Sequence, residues 1–131
     1  MKKPFSFNKT ERLKSRKVLE QLFSKGNTFL VHPFKVMYMI NSANEAAIHC
    51  GVGVSKKNFS KAVQRNRVKR LMREVYRLNK QPIYDVVKQH QVNLFILYID
   101  KNMPIDFNYL NSKMKAVVEK MQINYLHEVA Q

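Results

Sequence analysis

The sequence predicts an α+β domain in which helices pack on a small sheet. Three observations predict it. Apolar residues recur at helical spacing in three separated stretches, short apolar runs rich in β-branched and aromatic residues lie between them, and the two kinds of segment are interleaved. The 131 residues suit one domain, and eight Phe and six Tyr supply the material of a core. No linker, repeat or low-complexity tract interrupts the chain, so residues 1–131 read as a single domain with residues 1–14 as a basic N-terminal arm.

The elements follow in order. After the extended arm, Val18, Leu19, Leu22 and Phe23 fall on one helical face across residues 15–24, and Gly26 is expected to end that helix as a left-handed cap. Residues 34–40 and 46–54 read as strands about a turn at 41–45, and a hairpin between them is the simplest pairing. Residues 60–79 make the best helix in the chain. Ser60 is available as its cap, Pro82 limits its continuation, and Val68, Leu71, Met72, Val75 and Leu78 form its apolar stripe. A short helix is expected within 83–89. Residues 92–99 are almost continuously apolar, the pattern of a central strand. Beyond a loop at 100–104, Asp106 or Asn108 caps a last helix whose Leu110, Met114, Val117, Val118 and Met121 share a face.

Charge narrows the function. Twenty-four Lys and Arg against nine Asp and Glu give a formal net charge of +15, which calls for a polyanionic partner. The N-terminal segment lacks the apolar run of a signal peptide, and no stretch approaches the ~20 apolar residues of a membrane span. A soluble, cytoplasmic protein with no membrane partner is expected. The single cysteine, Cys50, sits in an apolar run and reads as core, and His32, His49, His90 and His127 show no metal-ligand spacing with it.

The positive charge concentrates between Lys56 and Arg77. With about 100° of rotation per residue, Arg65, Lys69, Arg73 and Tyr76 line up on one flank of the helix, beside Asn66, Arg70 and Arg77, and Glu74 is the one acid among them. Like charges at i, i+4 cost a few tenths of a kcal/mol per pair, a cost that phosphate contacts would offset. Tyr76 is placed to stack on an unpaired base. A DNA-reading helix would need a second helix just upstream, where this chain has strand and loop, so no DNA partner is expected.

The run Ala62-Val63-Gln64-Arg65-Asn66-Arg67-Val68-Lys69-Arg70-Leu71-Met72-Arg73-Glu74 closely resembles the arginine-asparagine-arginine motif of the bacterial ribonuclease P protein subunit. Val52-Gly53-Val54-Ser55-Lys56-Lys57, Thr10-Glu11-Arg12-Leu13-Lys14 and Phe23-Ser24-Lys25-Gly26 are similar to further segments of that family, in the family's order. The resemblance implies an α-β sandwich with a small, mostly antiparallel sheet and a left-handed βαβ crossover, like the second domain of ribosomal protein S5. It implies the protein subunit of an endoribonuclease whose catalytic centre is an RNA using Mg2+, acting on the 5′ leader of precursor transfer RNA. Carried onto this chain, Arg65, Asn66, Arg67, Lys69, Arg70 and Arg73, with Lys56, Lys57, Arg12 and Lys14, are the expected contacts to the catalytic RNA. Phe23 matches an aromatic of the leader cleft, where Tyr38 and Tyr76 are also expected; Leu19 stands where the family has a second first-helix aromatic, and the family's second-strand tyrosine falls on Met37 or Tyr38. Phe59 stands where some members have glycine. The alternative is a general structured-RNA-binding module such as a ribosomal protein. In either case Arg65 and Lys69 are expected to serve binding rather than stability, and Leu71 the core.

Overall fold

The structure is a computed structural model that describes residues 7–104 and 106–130. A single 3-10 turn, Lys9–Glu11, opens the described chain, so residues 1–6 of the expected arm lie outside it. Then follow α1 (Arg16–Lys25), β1 (Asn27–Val31), β2 (Phe34–Ser42), β3 (Ala47–Val54), α2 (Ala62–Asn79), α3 (Gln81–Val86), β4 (His90–Tyr98) and α4 (Phe107–Val129).

The four strands are ordered β1-β2-β4-β3, with β1–β2 and β2–β4 antiparallel and β3–β4 parallel. This corrects the expected hairpin between the segments at 34–40 and 46–54. β4 inserts between them, pairing Tyr38 with Leu94 on one side and Cys50 with Leu94 on the other. The near-continuous apolar run of β4 has its cause here, since a strand paired on both edges and covered on both faces meets little water. The hairpin that does form joins β2 to β1, a strand not anticipated, through a turn at His32–Pro33 whose peptide bond is cis. α2 and α3 carry the chain from β3 to the parallel β4.

Strand alternation sorts side chains onto two faces. One face presents Phe34, Val36, Tyr38, Cys50, Val92, Leu94, Ile96 and Tyr98, all buried, beneath α2 and α4. On α4 the buried residues are Leu110, Met114, Val117, Val118 and Met121, as the pattern predicted, together with Tyr125, and Asp106 caps the helix by accepting from Tyr109 N–H at 2.7 Å. On α2 they are Val68, Met72, Val75 and Tyr76. Leu78, expected in the stripe, is 36% exposed and Leu71 is only half-buried, because the helix is rotated toward its Tyr76 side. The other face of the sheet, with Met37, Phe95, Leu97, Gly51 and Gly53, receives the short α1 through the buried Leu22, and Leu13 of the arm beside Gly51.

Two further local expectations are corrected. Gly26 follows α1 with φ −70° and ψ 153°, so it is not a left-handed cap. A Cβ there would lie 2.6 Å from Leu22 O, so close backbone approach is what requires glycine. α2 begins at Ala62 after Lys61, with no side chain capping it; Ser60 does not.

Candidate nucleic-acid interface

α2 buries one stripe and leaves the rest of its circumference cationic. Asn66, Arg67 and Arg70 are exposed, and Arg65, Lys69 and Arg73 are half-buried at the flank. Arg77 and Glu74 form a bidentate pair, with Nη2 to Oε1 at 2.6 Å and Nε to Oε2 at 3.1 Å, so the one acid of the segment is neutralised inside the helix. Lys56 and Lys57 project from the connection between β3 and α2, which is fastened by Asn58 Nδ2 donating to Ile99 O at 3.3 Å and by the buried Phe59 ring beside Tyr98.

Arg65 has a part that the helical pattern did not reveal. Its Nη1 donates to the Phe59 and Ser60 carbonyls at 2.9 and 2.8 Å, fixing the approach to a helix that has no side-chain cap. The expectation that Arg65 serves only binding is therefore corrected. Lys69, one turn further on, remains the cleaner probe of a phosphate contact.

The arm extends the cationic face. Leu13 N–H donates to Cys50 O at 3.0 Å, and Arg12 bridges Cys50 in parallel sense, so the arm runs along the outer edge of β3. Phe7 sets its ring edge-on to Tyr76, with centroids 5.3 Å apart, and the Arg12 guanidinium lies over Phe7 at 5.4 Å. Arg12 thereby approaches Arg73, whose pKa is lowered first by burial and then by that neighbouring charge. Arg12, Arg70, Arg73 and Arg77 surround a common depression beside Phe7.

On the α1 side of the sheet, a cleft of about 260 Å³ opens between α1, the arm and β3. Its walls are Leu13, Leu19, Gly51 and Phe95, and Arg12, Lys14 and Arg73 stand at its rim. Phe23, 59% exposed, meets the Phe95 ring at 5.5 Å. Phe95 lies across the β3 backbone, where a Cβ on Gly51 or Gly53 would come within 2.9 or 2.5 Å of the ring. The two glycines, spaced to face the same side, are the seat of that ring rather than mere weak points in a strand.

Two of the aromatic residues expected in this cleft are elsewhere. Tyr76 is fully buried in the core under α2 and presents no face to a base. Tyr38 is 7% exposed and packs with Phe29 on the α4 side of the sheet. Met37, its neighbour, pairs with Phe95 and shares the cleft face. Phe95 itself escaped sequence reasoning because it lies within the apolar run of β4. The alternating glycines opposite were the available signal.

Among the described residues, four of the nine acids pair with a basic side chain or cap a helix. Glu11 pairs with Lys80, Glu74 with Arg77, and Asp100 with His32, while Asp106 caps α4. Among the described residues no three His, Cys, Asp or Glu side chains converge as a metal site, and no helix is long and apolar enough to cross a membrane. Cys50 is buried, and burial pushes its thiol pKa well up, which suits a core residue rather than a nucleophile.

Comparison with known proteins fits this geometry. The ribonuclease P family model matches residues 7–122. The ribonuclease P protein component of Porphyromonas gingivalis is 43% identical over 96 residues, covering 72% of this chain and 70% of that protein. That of Dictyoglomus thermophilum is 31% identical over 117 residues, covering 88% and 92%. Among solved structures, the ribonuclease P protein of Thermotoga maritima superposes with a TM-score of 0.63 at 24% identity, covering 84% of this chain and 96% of the other. The Staphylococcus aureus protein gives 0.61 at 21%, covering 86% and 96%, and these two likenesses bear on the fold alone. Motif, fold and sequence identity converge, and the chain belongs to the ribonuclease P protein family.

Proposed function

We propose that this protein acts as the protein subunit of ribonuclease P, seating the catalytic RNA on the cationic face of α2 and the single-stranded 5′ leader of precursor transfer RNA in the Phe23–Phe95 cleft. The observation that carries the reading is the continuity of the two surfaces, since Arg12 and Arg73 border both. An RNA chain leaving the cleft meets guanidinium groups suited to phosphate, while aromatic faces accept bases without regard to sequence. Arg65, Asn66, Arg67, Lys69, Arg70 and Arg73, with Lys56, Lys57, Arg12 and Lys14, are the proposed contacts to RNA. The leader cleft is assigned to Phe23, Leu19, Met37 and Phe95.

Cleavage is assigned to the RNA, with Mg2+ held mainly by that RNA and the substrate. The protein's share is to bring phosphates together and reduce their mutual repulsion, so less Mg2+ is needed. The same reading puts the protein in the cytoplasm, with precursor transfer RNA.

The test is cleavage of precursor transfer RNA by a bacterial ribonuclease P RNA at low Mg2+, with and without the protein. Restored cleavage at the correct 5′ position, with no cleavage by the protein alone, is the expected result. Tight RNA binding that leaves cleavage unchanged would replace this reading with a general RNA-binding module.

A further inference from the structure

A buried ion pair joins the arm to the end of α2. Glu11, 2% exposed, pairs with Lys80, 5% exposed, across 69 residues of chain. Both carboxylate oxygens are used. Tyr84, one turn beyond Lys80, donates its hydroxyl to Oε1 at 2.6 Å, and Asn8 N–H donates to Oε2 at 2.9 Å. The Lys80 ammonium also lies over the Tyr84 ring at 4.6 Å and the Phe7 ring at 5.8 Å. The carboxylate thus closes the 3-10 turn of the arm upon itself and ties that turn to the junction of α2 and α3.

The location makes the pair more than a fastening. The very next residue is Arg12, whose guanidinium is held near Arg73. In the free protein those two cations repel, and the arm that carries one of them would relax away unless something held it. Its other described attachments are the Leu13–Cys50 backbone bond with the adjoining Arg12–Cys50 bridge, Leu13 against Gly51, and the edge of Phe7 on Tyr76. Neither Glu11 nor Lys80 is accessible enough to touch a macromolecule.

We propose that Glu11 and Lys80 are positioning residues for RNA recognition, a latch that holds Arg12 beside Arg73 so that a single RNA phosphate is met by both guanidinium groups. This rests on the assignment of α2 and the arm as the RNA-binding face. The latch prepays the ordering of the arm before RNA arrives, so that binding does not have to supply it.

The test is a double-mutant cycle of Lys80→Met with Arg12→Ala, read as affinity of the full-length protein for ribonuclease P RNA at fixed salt, together with amide hydrogen exchange. Each single change is expected to lower affinity about tenfold, the size of one lost charge-assisted contact. The double change is expected to lose no more than either, because Arg12 without its latch is already out of place. The Leu13 amide should lose protection in Lys80→Met while the amides of β4 keep theirs. Glu11→Gln, which keeps the side-chain shape and one of the two acceptor oxygens but loses the charge, is the second variant should Lys80→Met fail to fold. It should move both readouts in the same direction by less. Losses that multiply in the cycle, or a Leu13 amide protected as in the wild type, would overturn the latch. Wild-type protein that binds no such RNA would sink the functional reading, and the latch with it.

Discussion

Arg65 and Lys69 sit one turn apart on α2, yet their charged ends have different partners. Arg65 Nη1 holds two backbone carbonyls at the start of the helix, whereas Lys69 borders the solvent-facing flank. Lys69→Ala should therefore weaken RNA binding and reduce the slope of log affinity against log salt by about one unit, with the melting temperature unchanged. Arg65→Ala should also cost stability, on the order of 1 kcal/mol because the carbonyls are only partly buried, visible as a lowered denaturant midpoint. Equal melting temperatures for the two variants would contradict this division. A second prediction concerns Gly53. Its Cβ in Gly53→Ala would lie 2.5 Å from Phe95, so the ring must leave its seat. Affinity for precursor transfer RNA should fall while affinity for the mature, leaderless form should not, and equal losses for both would remove Phe95 from the leader cleft. The cationic residues were legible one by one because charge on a helix is read directly from spacing. Tyr76 and Tyr38 were misread because an aromatic residue next to a polar flank suits core and cleft alike, and only the rotation of α2 and the register of β2 decide between them.

The strengths of the individual elements were easier to read than their pairing. α1, α2 and α4 announced themselves by period, and their observed bounds fall within a few residues of the expected ones. Strand order did not, since β2 and β3 are separated by a short turn and look like a hairpin, while their actual common partner β4 arrives about forty residues later. Only non-local burial settles such a choice, and its trace in the sequence was the unbroken apolar character of residues 92–99. β1 was missed because a five-residue edge strand with the exposed Leu30 carries little alternation. The face of α2 can be tested directly. Met72 is fully buried, and Met72→Ala should cost roughly 2–5 kcal/mol in denaturant unfolding. Leu78→Ala, at a 36% exposed position, should cost far less, about 0.5 kcal/mol. Comparable losses at the two sites would mean that the helix sits in the rotation the sequence first suggested.

For the whole molecule, charge governs the response to acid. At neutral pH nine carboxylates hold 24 cations to a net +15, and each one protonated leaves the cations less balanced. General repulsion would erode stability gradually, but Glu11 adds a specific contribution. Burial alone would raise its pKa; the hydrogen bonds from Lys80, Tyr84 and Asn8 N–H outweigh burial and hold it below its ordinary 4.5. A carboxylate depressed in the folded state contributes stability that is fully present above its unfolded pKa and is lost as pH falls through the folded one. The loss should therefore set in below about pH 4.5 and be specific to this residue. Protonating Glu11 also leaves Lys80 buried beside a neutral acid, which favours release of the arm ahead of the sheet. Melting temperature measured from neutral pH down through the acid range should fall more steeply for the wild type than for Glu11→Gln, whose curve should start lower and run flatter. The Leu13 amide should open at a higher pH than the amides of β4. Parallel curves for the two proteins would show that acid acts on this fold through overall repulsion, with no distinct share from the ion pair.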